Sequence, residues 1–159
     1  MLTAQRLREL LEYSPETGEF KWRKPPRNKD IPGLVAGSQT GRYVMIGIAR
    51  VLYYGHRLAW LYVHGEWPAR DLDHINRDCR DNRIANLRLA TDSENLCNKP
   101  VRRDSRTGLK GVAPKRKKYA ARITKEGRIH FLGSYDTPED AHAAYCRAAR
   151  ELHGDFAHI

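Results

Sequence analysis

Apolar positions recur along the chain with two different periods, and each change of period marks an element. Leu7, Leu10 and Leu11 follow Thr3 at helical spacing, which predicts a short amphipathic helix within residues 3–13. Ser14-Pro15-Glu16-Thr17-Gly18 reads as a turn, and residues 19–23 alternate polar and apolar as an edge strand does. Residues 24–29, rich in Pro, Lys and Arg, read as a loop. Residues 43–48 and 51–54, parted by Ala49-Arg50, predict a β-hairpin. Residues 56–63 are apolar on most sides, as a buried helix is. Two short apolar-containing runs, 72–75 and 87–90, enclose a loop of Arg, Asp and Asn and read as two strands. Thr91-Asp92-Ser93-Glu94 is then a Ser/Thr-x-x-Glu capping box that starts a helix with Thr91 as its N-cap and Asn95 in its first turn.

Past Asn98 the pattern changes. Residues 99–107 show no apolar period and read as a basic linker. Three short strands are expected at 110–113, 119–124 and 128–132. A helix follows, with Thr137 as N-cap, Pro138 at N1, Glu139 and Asp140 at its positive end and Gly154 just past its last turn. Ala141, Ala144, Tyr145, Ala148 and Leu152 form its apolar stripe, and the small residues let a sheet pack closely. The fold class expected is α+β, with domains at 1–98 and 108–159. The second is a three-stranded antiparallel sheet with one face on the helix and its basic face free.

Charge sharpens this division. The 159 residues are 40% hydrophobic and carry a formal net charge of +10, which points to an anionic partner. Residues 99–128 hold twelve Lys or Arg against two acids, so the excess of the whole chain is matched by this stretch. No run of 18 apolar residues occurs, so no membrane span is expected. The first residues lack the apolar core of a signal peptide. Cys79, Cys97 and Cys146 are odd in number and widely spaced, which argues for reduced thiols in a cytoplasmic setting and against structural zinc.

The candidate chemistry lies in Asp73-His74, Asn86 and Asn95. Asp73 offers a charged oxygen and Asn95 an amide oxygen, both suited to a hard cation such as Mg²⁺. His74 is the side chain of this cluster whose ordinary pKa, about 6.5, leaves a neutral imidazole ready to take a proton near pH 7. Asn86 has donor and acceptor groups that can brace the intervening loop. Asn76 and Asn82 read as turn residues. His56 is read either as a partner of the site or as a packing histidine. Adjacent strand residues point to opposite faces, so Asp73 and His74 share a site only if the strand bends or ends there.

These residues resemble the H-N-N variant of the HNH nuclease motif found in phage and intron-type homing endonucleases; His56-Arg57-Leu58-Ala59-Trp60 and Gly65-Glu66-Trp67-Pro68 resemble that subfamily too. The resemblance implies a ββα-metal unit in which His74 is the general base, Asn86 orders the loop, and Asp73 and Asn95 hold one Mg²⁺ or Mn²⁺. The last position departs from the commonest form, a second His, and Asn is the weaker ligand. Residues 105–157 resemble the plant APETALA/ethylene-response-factor type DNA-binding domain through Gly108-Leu109-Lys110-Gly111-Val112, Tyr119-Ala120-Ala121-Arg122-Ile123, Leu132-Gly133-Ser134-Tyr135-Asp136-Thr137 and Ala141-His142-Ala143-Ala144-Tyr145. That likeness implies a sheet in the major groove, with Lys110, Lys115, Arg122 and Thr124 facing DNA and Tyr119 at an aromatic position. Arg116, Lys117, Lys118 and Arg128 join them as expected DNA contacts. Whether Arg128 and His130 or Ile129 and Phe131 face DNA stays open. Lys21, Arg23, Lys24 and Arg27 either extend the DNA contact or form a solvated rim.

The expected function is therefore a metal-dependent endonuclease acting on double-stranded DNA, phage-encoded or homing, working in a bacterial or infected cell. A monomer or transient dimer is expected, with no protein partner evident. The rival readings are a DNA-binding protein with an inert nuclease unit and a structural metal protein built on His56, His64, His74, Cys79 and Cys97.

Overall fold

The structure, a computed structural model, describes residues 1–23, 33–102 and 104–157, with the side chains of Leu96 and Asp155 left aside. Lys24 and Arg27, expected in a basic loop, lie outside the described residues. The chain divides into two compact units, Met1–Ala90 and Thr91–Ile159.

In the first unit Thr3 caps α1 (Ala4–Leu10), its side chain accepting from the Arg6 N–H. The helix is shorter than its apolar spacing predicts. Leu11–Tyr13 leaves it as β1, pairing antiparallel with β2 (Phe20–Trp22) and burying Leu11, Tyr13, Phe20 and Trp22. Strand pairing that buries alternate side chains here outweighs helical periodicity. A second sheet has the order β3-β4-β5 (Ser38–Thr40, Tyr43–Ile48 and Val51–Tyr54). Strands β4 and β5 form the expected hairpin, turning through Ala49 and Arg50 at φ 49° and 66°, as a two-residue primed turn requires. Then α2 (Gly55–His64) buries His56, Leu58, Ala59 and Leu61 and ends on Gly65 in the left-handed region. The unit closes with β6 (Asp71–His74), a 3-10 turn at Ile84–Asn86 and β7 (Leu87–Ala90), antiparallel to β6. One core joins Leu7, Leu11, Phe20, Ile46, Leu58 and Leu87, so the site strands stand on the N-terminal elements.

The second unit begins with α3 (Asp92–Asn98). Its capping box is complete: Glu94 N–H donates to Thr91 Oγ1 at 3.3 Å and Thr91 N–H donates to Glu94 Oε2 at 2.7 Å. The unit boundary falls eight residues before the expected end at residue 98, because α3 contacts the 3-10 turn at Gly154–Phe156 and Ser93 Oγ accepts from the Glu126 N–H. Three antiparallel strands follow, β8 (Val112–Lys115), β9 (Lys118–Lys125) and β10 (Arg128–Tyr135), in the order β10-β9-β8. The observed β8 starts two residues later than its apolar run predicts, since Gly111 turns at φ 74° before pairing begins. Thr137 caps α4 (Pro138–His153) through Asp140 N–H, and α4 packs on the sheet through Ala141, Ala144, Tyr145 and Ala149.

Candidate active site

Strand β6 places Leu72, Asp73 and His74 in the interior and ends at His74, where the Arg77 N–H bonds back to the His74 carbonyl at 2.9 Å. The expected strand end is thus present, and the two neighbours take different partners, as alternation requires. Asp73, 5% exposed, stands opposite Arg88 in the antiparallel register, and Arg88 Nε and Nη2 both donate to its Oδ2 at 3.0 and 2.8 Å. A buried carboxylate needs such a counter-charge. The sequence reading gave Arg88 no role; opposite charges on facing strands are the signal that marks it.

His74, also 5% exposed, sits against the His56 ring at 5.1 Å between centroids and the Tyr43 ring at 6.4 Å. Its Nε2 lies 3.4 Å from Asn82 Oδ1. Burial pushes the His74 pKa below its ordinary value, opposed by Asn82 and by the charges of Asp73, Asp78 and Asp81. The imidazole is therefore neutral at pH 7. His56, between Tyr43 and Tyr54, is lowered to about 3 by burial first and by His74 and Arg57 next. Its Nδ1 is buried and has no hydrogen-bond partner among the described residues. Of the two readings of His56, contact with the His74 ring places it beside the site.

Asn86 ties the loop between the strands at both ends. Its Oδ1 accepts from the Asn76 N–H at 3.0 Å, and its Nδ2 donates to Asn76 Oδ1 at 3.0 Å and to the Asp81 carbonyl at 2.8 Å. Asn76 in turn donates to Asp81 Oδ2 at 2.7 Å. Asn82, read as a turn residue, is 2% exposed; besides facing His74, its carbonyl accepts from Tyr13 Oη at 2.7 Å. Gly18 lies under this loop at φ 74°, and a Cβ there would stand 2.5 Å from the Arg83 nitrogen. Sequence spacing cannot reveal Asn82's role, which depends on a partner 69 residues away.

The oxygen of Asp73 fits a hard divalent cation in kind, since carboxylates suit Mg²⁺ and Mn²⁺. Among the described residues no three His, Cys, Asp or Glu side chains are arranged so that they could hold a metal ion by themselves. An ion held at Asp73 would complete its shell with amide oxygen or water. Asn95 belongs to the second unit, in the first turn of α3, half-buried, its N–H donating to the Thr91 carbonyl at 2.9 Å.

The second unit sorts its basic residues by face. Arg122 and Thr124 alternate with the buried Ala121 and Ile123, so they lie on the sheet face away from α4; their cross-strand partners are Phe131 and Ile129. Of the two arrangements left open for β10, Ile129 and Phe131 therefore share the free face. Lys115, Arg116, Lys117, Lys118 and Arg128 are exposed. Two expected DNA contacts are placed differently. Lys110 directs Nζ to the carbonyls of Cys97 and Lys99, where a cation meets the end of α3. Tyr119 packs with Val112, Ala121, Ala141 and Ala144 on the helix side, because strand alternation puts it on the face of Ala121.

A family model described as HNH endonuclease matches residues 53–97. The chain is 34% identical over 105 residues to Protein 3.8 of Escherichia phage T7, covering 64% of this chain and 86% of that protein. It is 33% identical over 104 residues to an uncharacterized HNH endonuclease of Acanthamoeba polyphaga mimivirus, covering 64% of this chain and 54% of that protein, so it spans about half the length of this relative. The matched segment runs from β5 into α3 and takes in Asp73, His74, Asn86 and Asn95 together. On this likeness the chain belongs to the HNH endonuclease family, with relatives in phages and other viruses.

Proposed function

We propose that the protein is a metal-dependent endonuclease that hydrolyses phosphodiester bonds in double-stranded DNA, with residues 108–159 as an ethylene-response-factor type targeting domain. The observation that carries this reading is His74, a buried imidazole kept neutral by its surroundings at the end of a strand, beside a buried carboxylate. In the reaction the oxygen of a water bonds to phosphorus, its proton passes to His74, and the opposite P–O bond breaks. If Nε2 carries the proton toward Asn82, the accepting lone pair is on Nδ1. Asn86 holds the loop that carries Asn82, and so fixes the imidazole indirectly. Asp73 would hold the Mg²⁺ or Mn²⁺, with Asn95 its second ligand on the motif's resemblance alone, and the ion would supply positive charge for the phosphate and the leaving oxygen. Arg88 keeps the Asp73 carboxylate aligned and balanced.

The exposed cations of β8, β9 and the turn between them support duplex binding, since phosphate contacts need accessible Lys and Arg. With one such site per chain, a monomer nicks one strand and a double-strand break takes a dimer or a second binding event. The setting is the DNA of a bacterial or infected cell. One observation favours a second reading, a DNA-binding protein with an inert nuclease unit: Arg88 already supplies a cation to Asp73. Incubation with supercoiled plasmid separates the two. The nuclease reading expects nicked circles in Mg²⁺ or Mn²⁺ and intact plasmid in EDTA; plasmid bound yet intact in both supports the inert reading.

A further inference from the structure

The free face of the C-terminal sheet carries more than cations. Ile129 and Phe131, both large and apolar, are 68% and 55% exposed. They sit two residues apart on β10, across from Thr124 and Arg122, and the Lys115 ammonium stands 5.0 Å from the centre of the Phe131 ring. Arg116, Lys117 and Lys118 in the adjoining turn are exposed as well. Exposed apolar side chains on one face mark a contact surface, and the surrounding positive charge selects a polyanion for it.

We propose that Phe131 and Ile129 are specificity-determining residues that select thymine by its 5-methyl group in the major groove of duplex DNA, beside a guanine held by Arg122. This rests on the DNA-targeting reading above and deepens it. Thymine alone among the four bases presents a methyl group in that groove, and apolar side chains contact it, while Arg pairs with the O6 and N7 of guanine. The spacing agrees. Two residues along a strand span roughly 6.6 Å, close to two base steps of about 3.4 Å each. Phe131 and Arg122 are cross-strand neighbours, roughly 5 Å apart, so guanine falls within one or two steps of the first thymine. Stacking on unpaired bases, the other use of an exposed aromatic, leaves Ile129 without a role because it has no π face.

The test uses the full chain in EDTA with two randomised duplex pools, one made with thymidine and one with deoxyuridine, which lacks the methyl. The thymidine pool is expected to enrich sites with two thymines about two steps apart next to a guanine. Replacing one of these thymines by uracil should weaken binding about three- to five-fold, the worth of one buried methyl. Phe131→Ala should lose the thymine-over-uracil preference at one of the two thymines and keep it at the other, Phe131→Leu should keep both preferences, and Lys117→Ala should weaken the thymine and uracil sites equally. Thermal unfolding of each variant confirms that its fold is kept. Equal enrichment of the two pools, or a thymine-to-uracil ratio unchanged at both thymines in Phe131→Ala, overturns the inference while leaving phosphate-driven DNA binding intact. Absence of binding to any duplex overturns the targeting reading along with it.

Discussion

Burial sets the chemistry of the two histidines that meet at the end of β6. His56 loses its proton affinity almost entirely, with a pKa near 3, whereas His74 keeps three nearby carboxylates and Asn82 that work against the desolvation of its charged form. Of the two, His74 is the imidazole with neighbours that favour taking up a proton. A general base acts in its neutral form, and the shift of His74 is downward from 6.5. Activity should therefore be lost as pH falls, with the acidic limb of the cleavage rate below pH 6.5. A rate profile between pH 5 and 8 checks this, and a limb well above 6.5 argues for another base. At this scale Asp73, His74 and Asn86 are legible in the sequence because their residue types are unusual together at short spacing. Asn82 and Arg88 are not, since each takes its role from a partner that only strand register or distant packing supplies.

Among the elements, those with strong local signals are where their spacing puts them. The β4–β5 hairpin, α2, the capped start of α3 and α4 from Thr137 to Gly154 follow local turn and cap chemistry. The departures share one cause, tertiary contact. Helix α1 gives up Leu11–Tyr13 to pairing with β2, and β3 was not foreseen because all three of its residues are exposed and carry no alternation. Just before β8 the backbone of Gly111 lies close against α4, with φ at 74° and an added Cβ falling 2.0 Å from the Tyr145 ring. Gly111→Ala must both adopt a left-handed backbone and push that ring away, and should cost about 2 kcal/mol or more. Gly108→Ala, at φ 66° with nothing within 4 Å, carries the backbone strain alone and should cost less. Thermal unfolding of the two variants side by side measures the difference.

On the scale of the whole molecule, each unit has its own core, and the densest run of positive charge, residues 99–128 with twelve Lys or Arg against two acids, lies in the second. If Lys115, Arg116, Lys117, Lys118, Arg122 and Arg128 each meet a phosphate, log K for duplex binding should fall with log salt at a slope of about −5. Titrations at several salt concentrations in EDTA test that number, and a slope near zero removes these residues from the DNA interface. The sequence shows a shift in composition after Asn98, and the structure divides into two compact units after Ala90. The boundary at Ala90 was not legible in the sequence, because α3 belongs to the compact unit that follows it, through contacts no local pattern encodes. The measurement that bears most directly on the account is single-turnover cleavage of duplex DNA in Mg²⁺ by the wild-type chain and by His74→Ala, with DNA affinity recorded for both. Loss of roughly 10²- to 10⁴-fold in rate, the usual worth of a general base, at unchanged affinity is the predicted result; equal rates in the two proteins would contradict it.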